Sequence, residues 1–93
     1  MAQVKIIFPT ALTNVTNGEK ETKVFASNFK GVLHELITRY GDKFKDRIFD
    51  SSGSLRRFLN FYVNGKNVLH LEGIETQLQD GDEISILPAV AGG

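Results

Sequence analysis

The sequence predicts a two-layer α+β domain in which one mixed sheet is covered by one main helix. Three observations predict it. Short runs of alternating apolar residues lie near both ends of the chain, a single long apolar stripe of helical period lies between them, and Gly-containing turn pairs separate the runs. The order that results is β-β-α-β-β-β. One helix layer covers one face of such a sheet and leaves the other wet.

The first strand is read from Val4, Ile6 and Phe8, which alternate with Gln3, Lys5 and Ile7 and stop at Pro9. Asn17-Gly18 is a turn signal, and Glu21 to Ala26 forms a second strand pairing back on the first, with Thr22, Val24 and Ala26 turned to the core rather than Lys23 and Phe25. The helix follows: Phe29, Val32, Leu33, Leu36, Ile37 and Tyr40 make one continuous stripe. Ser27 or Asn28 caps its first turn, and Gly41 stands where a left-handed terminating residue is wanted. Phe44 and Ile48, four apart, permit a short second helical turn before the Ser51-Ser52-Gly53-Ser54 loop.

Arg57 to Val63 is aromatic and strand-like, and Asn64-Gly65 is a strong hairpin turn. Asn67 to Leu71 is expected to return as a short strand. A loop through Ile74 and Leu78 leads to the turn Asp80-Gly81, and Glu83 to Leu87 forms the last strand. Pro88 cannot donate to a ladder, so pairing ends there. Residues 1–88 are therefore expected to be the folded domain and residues 89–93 a flexible tail.

Bulk properties narrow the function. Ninety-three residues suffice for one core and are too few for two. The absence of cysteine removes disulfides, iron–sulfur clusters, thiol catalysis and thiolate zinc sites together. Eleven basic residues balance eleven acidic ones, which disfavours nucleic-acid binding even though Phe58 and Tyr62 are of a type that stacks on bases. The first ten residues carry no signal-peptide pattern and no window is long enough to span a bilayer, so a cytoplasmic protein is expected, with no membrane partner.

Several chemical signals have plainer explanations. His34 lies off the apolar stripe, His70 is expected to point away from Leu69 and Leu71, and no third ligand is spaced near either, so no metal site is expected. Asp80, Asp82 and Glu83 are better explained by turn chemistry than by acid–base work or calcium. Arg56-Arg57 fits a small basic contact and a solvated strand entry about equally. No phosphate-cradling glycine motif is present.

The sequence ends in Ala89-Val90-Ala91-Gly92-Gly93. Two terminal glycines leave a carboxylate with no side chain on either preceding carbon, an end able to enter a narrow active site. With glycine near 7% of residues, the pair falls at a terminus by chance in roughly 0.5% of chains. Fully extended, five residues reach at most ~17–18 Å, enough to enter a cleft on another protein.

The β-β-α-β-β-β plan, the Asp80-Gly81-Asp82-Glu83-Ile84 turn and the Leu87-to-Gly93 ending together resemble the β-grasp, ubiquitin-like sulfur carriers along the whole chain. That family includes the small subunit of molybdopterin synthase, the thiamine-pathway carrier and the carrier of thiocarboxylate-dependent cysteine biosynthesis. The stretch Arg57-Phe58-Leu59-Asn60-Phe61-Tyr62-Val63-Asn64 and the Pro88-to-Gly93 ending look most similar to the last. The resemblance implies a β-grasp fold and a protein co-substrate that is not itself an enzyme. An E1-like partner would use ATP to adenylate the carboxylate of Gly93. A sulfur donor would convert it to a thiocarboxylate, and a sulfur-accepting synthase would consume the sulfur. Gly92 would let the backbone pass a constriction, with Ala89, Val90 and Ala91 threading behind it. A ubiquitin-like modifier needs the same tail, and a β-grasp interaction module without terminal chemistry is the alternative from another class.

Alternation adds a second surface. With Phe61 and Val63 facing the helix beside Ile84 and Ile86, the residues Phe58, Asn60, Tyr62 and Leu87 are expected on the open face. An exposed apolar cluster on a small protein marks a docking site, and the resemblance implies that this face receives partners. β-Propensity alone is the competing explanation.

Overall fold

The computed structural model describes residues 1–56 and 58–88. Five strands form one sheet: β1 (Ala2–Ile7), β2 (Glu21–Ala26), β3 (Leu59–Val63), β4 (Lys66–Asn67) and β5 (Glu83–Pro88). Two helices follow β2, α1 (Phe29–Tyr40) and α2 (Asp42–Ile48). The strand order is β2-β1-β5-β3-β4. β1 and β5 run parallel at the centre, and the other neighbours are antiparallel.

Period-two alternation sets which face is buried. Ala2, Val4 and Ile6 of β1, Val24 and Ala26 of β2, Leu59, Phe61 and Val63 of β3, and Ile84 and Ile86 of β5 all turn to the helix side. Thr22 is half-buried on the same side, while Lys23 and Phe25 are exposed, as the sequence predicts. α1 lays Phe29, Val32, Leu33 and Leu36 onto this face, with Ile37 and Tyr40 at its margin. Phe29 meets Phe61 edge-on, 5.3 Å between centroids. Each fully buried ring of this kind contributes about 1.5–3 kcal/mol through the area it removes from water.

Asn28, not Ser27, caps α1: its side-chain oxygen accepts the Gly31 N–H at 2.8 Å. Gly31 also explains a glycine inside a helix, where it costs ~1 kcal/mol relative to alanine. A Cβ there would lie 3.2 Å from the Ala26 Cβ and 3.3 Å from Asn28 Oδ1, so α1 approaches β2 closely at this point. Gly41 ends the helix with φ +87° while its N–H still reaches Ile37 O at 2.7 Å. α2 begins at once and buries Phe44 and Ile48 completely. Phe8, one residue past β1, packs edge-on against both Tyr40 and Phe44, so it fastens the strand end beneath the helix junction.

Three expectations are corrected. β3 starts at Leu59, so Phe58 lies in the turn before it; Arg57 falls outside the described residues. The ladder includes Pro88, opposite Leu59, one residue further than expected. The strand expected over Asn67 to Leu71 stops after Asn67, and Val68–His70 winds into a 3-10 turn. Asn67 causes the change by accepting the Leu69 N–H on its side-chain oxygen at 2.9 Å, which offers the backbone a local partner in place of the ladder. Val68 is buried as a result, and Leu69 and Leu71 are exposed. His70 is exposed through this turn rather than through strand alternation.

Candidate functional site

β5 is held on both sides, by β1 and by β3, and delivers Pro88 at the far end of that central pairing. Its entry is fixed by polar contacts on the turns. Asp80 Oδ1 accepts the Gln3 N–H, and Gly81 N–H donates to Gln3 O. Asp82 is fully used: Oδ1 accepts from the Asn64 amide at 2.9 Å and Oδ2 from the Gln79 N–H at 2.8 Å. Asn64 Oδ1 in turn accepts the Glu83 N–H. The carboxylates at 80 and 82 therefore hold the β3–β4 turn and the start of β5 in register. The carboxylate cluster is turn chemistry.

Gly93, Gly92, Ala91, Val90 and Ala89, the expected site of terminal chemistry, lie outside the described residues. The expected docking residues are described. On the open face Leu87 stands opposite Asn60, and Tyr62 opposite Ser85. Leu87 is 46% exposed and Tyr62 half-buried. Phe58 is 53% exposed, and the Arg56 guanidinium sits over its ring, 5.8 Å from the centroid. Arg56 is itself tethered, its Nε donating to Asp46 O at 2.9 Å. Leu87 and Tyr62 thus share the open face, whereas Phe58 is exposed in the turn before β3, its ring under the Arg56 guanidinium in a cation–π contact.

Phe25 is an exposed ring on the open face, as its outward placement in the sequence predicts, whereas sequence reasoning missed Leu69, Leu71 and Ile74 past β4 as exposed apolar side chains. Phe25 was legible from its place next to the inward Val24 in the alternation. Leu69 and Leu71 were hidden by the expected strand, which would have turned them inward, and Ile74 lay in the expected loop, where no alternation assigns a face. A shallow, mostly apolar cleft of about 220 Å³ opens beside Leu69, lined also by Leu55, Leu59, Asn60 and Val68.

Among the described residues two titratable groups are shifted. Burial, and then the hydrogen bond from its hydroxyl to Glu19, raises the Tyr40 phenol above its ordinary value. The Ser52 hydroxyl, and then the Ser54 N–H, hold the Asp50 carboxyl below its ordinary value. Neither touches the end of β5. Both histidines are exposed, and among the described residues no three His, Cys, Asp or Glu side chains gather as metal ligands. Among the described residues no helix is long and apolar enough to cross a membrane.

A five-stranded mixed sheet with α1 across one face, and a central last strand leading to the C-terminal segment, defines a β-grasp, ubiquitin-like protein. The chain belongs to the ThiS family, whose model matches residues 6–93. It is similar to the sulfur carrier protein CysO of Mycobacterium tuberculosis, 38% identical over 92 residues, spanning 97% of this chain and 98% of the relative. Among solved structures it resembles the small archaeal modifier protein SAMP1 of Methanosarcina acetivorans, with TM-score 0.83, 37% identity, and 100% of this chain and 98% of that one covered. It also resembles a chain in the Amycolatopsis orientalis BexX/CysO complex, with TM-score 0.82, 33% identity, and coverage of 97% and 99%.

Proposed function

We propose that this chain is a sulfur carrier that presents the carboxylate of Gly93 to an activating enzyme and returns it as a thiocarboxylate. The observation that carries the reading is a ThiS-family match that runs through Gly93, on a fold whose central strand leads to that segment.

A carboxylate resists attack by sulfide because resonance and negative charge both oppose it. In the proposed sequence an oxygen of the Gly93 carboxylate attacks the α-phosphorus of ATP on an E1-like partner, and pyrophosphate leaves. A sulfur nucleophile then adds to the acyl carbon of the adenylate, and AMP leaves with the bonding pair. The product is a terminal thiocarboxylate whose sulfur a synthase then consumes. ATP and catalytic groups belong to the partners; this chain supplies a co-substrate. Gly92 lets the backbone pass a constriction, and Ala89, Val90 and Ala91 follow it as an extended tail read by backbone contacts and shallow pockets. Phe58, Tyr62 and Leu87 dock the domain while the tail is inserted.

The CysO relatives support cysteine biosynthesis as the pathway, and the CysO chain bound in the BexX complex supports a dedicated partner protein. The likeness to SAMP1 supports a second reading, in which the activated carbonyl passes to an amine of another protein. Incubation with candidate activating enzymes, ATP and sulfide, followed by mass measurement of the C-terminal peptide, tests both. Sulfur in place of one oxygen supports the carrier, conjugates to other proteins support the modifier, and an unchanged peptide with every enzyme sinks both.

A further inference from the structure

The outer edge of β2 carries a row of backbone groups with no strand beside them. β2 is the terminal strand of the sheet, and at six residues it is a long edge, whereas β4 at the other side has two. In an antiparallel pair, residues alternate between exchanging hydrogen bonds with the neighbour and facing away. Phe8 N–H donates to Lys20 O, which places Lys20, Thr22, Val24 and Ala26 in the set bonded to β1. The odd-numbered residues of β1 confirm the phase, since Lys5 N–H donates to Asp82 O and Gly81 N–H to Gln3 O on the other side. The N–H and C=O of Glu21, Lys23 and Phe25 therefore point off the sheet, and among the described residues no loop or side chain bonds to them.

The side chains of the same three residues lie on the open face, and their charges are unbalanced there. Lys23 stands directly opposite Lys5, a like-charged cross-strand pair, while Glu21 is drawn to Lys5 at 3.4 Å. Glu21 is engaged by Lys5, and among the described residues no carboxylate lies within ion-pair distance of Lys23, which leaves it open to an acid on its free side.

We propose that this edge pairs antiparallel with β2 of a second copy of the chain, with Glu21 of each opposite Lys23 of the other. Only outward-facing residues can exchange ladder bonds, so the partner of Lys23 must be Glu21, Lys23 or Phe25 of the second copy. Lys23 on Lys23 repeats the like-charge contact, and Phe25 offers no charge. Glu21 on Lys23 occurs twice about a two-fold axis, meets Lys23 with an acid on the free side, and leaves Thr22 facing Thr22 at the axis. The two sheets become one. The helix layer limits the strength, because Arg39 donates to Thr22 Oγ1 and two guanidinium groups then flank the axis. β1 separates this edge from β5, so Leu87 and Tyr62 stay open and one dimer presents two C-terminal segments.

Sedimentation equilibrium and amide hydrogen exchange on the full chain, carried up to about 1 mM as an interface below the standard ~1,600 Å² requires, test the pairing. A dimer that grows with concentration is expected, with slowed exchange at Glu21, Lys23 and Phe25. Lys23→Glu sets acid against acid and should weaken association about tenfold or more. The swap Glu21→Lys with Lys23→Glu restores opposite charges in the same register and should recover it. Lys23→Pro removes an N–H that β1 does not use and should leave a folded monomer. A wild-type monomer at every concentration overturns the proposal, and so does a dimer indifferent to Lys23→Glu or not rescued by the swap.

Discussion

Leu59 and Pro88 stand opposite one another, the first residue of β3 against the last of β5. The ladder that fixes the end of β5 therefore ends beside the turn that carries Phe58, and Leu87 lies opposite Asn60 on the exposed side. In the proposed function, a partner that takes the C-terminal segment would meet these side chains on the way.

That relationship separates docking from folding. Phe58→Ala and Leu87→Ser remove exposed side chains, so each should change stability by no more than about 1 kcal/mol. Affinity for the activating enzyme should fall roughly tenfold, equivalent to about 1.4 kcal/mol. Chemical denaturation and titration calorimetry read the two quantities separately. Unchanged affinity in both variants would remove the docking role and leave β-propensity as the reason for these residues.

Phe61 makes the opposite case three positions further along. It is buried on the helix side against Phe29, so Phe61→Ala should cost about 3–5 kcal/mol in unfolding free energy. A loss below about 1 kcal/mol would mean that the inward and outward sets of β3 are reversed.

Asn28 and Ser27 give a sharper local test. Asn28→Ala leaves the Gly31 N–H without its acceptor and should cost about 1 kcal/mol, whereas Ser27→Ala should stay within about 0.5 kcal/mol. Thermal melts of the two single variants decide it. Equal losses would contradict the assigned cap.

Tyr40 carries an alkaline signature. Burial and the bond to Glu19 raise its phenol, so the folded state holds that proton more tightly than the unfolded chain does. The stability it contributes is fully present below the unfolded value near ~10 and is lost as pH rises through the raised folded value. Tyr40→Phe should flatten the alkaline limb of the stability curve, and an ultraviolet phenolate titration of wild type should find one tyrosine titrating late. A titration in which neither tyrosine is delayed would contradict this.

Most of the fold was legible because its signals are periodic. The stripe from Phe29 to Tyr40 and the alternation through β1, β2, β3 and β5 each bury one face, and burial is what their spacing encodes. The β4 region was misread because one side chain decides it: Asn67 satisfies the Leu69 N–H itself, and no period reports that. Phe44 and Ile48 foretold only a turn, yet α2 runs seven residues, and the Phe8 ring that packs edge-on against Phe44 comes from the residue just past the far end of β1, which no local spacing reports. The choice between Ser27 and Asn28 likewise depended on geometry. At the candidate site, Leu87 and Tyr62 followed from alternation, whereas the Arg56 contact over Phe58 belongs to a turn that no repeat predicts.

The most direct measurement is the intact mass of the chain after incubation with its activating enzyme, ATP and a sulfur donor, beside a form extended by one residue past Gly93. Exchange of one oxygen for sulfur at the C-terminal glycine of the native form, and none in the extended form, is the predicted result. Sulfur incorporated equally into both, or into neither while the enzyme modifies another carrier, would contradict the account.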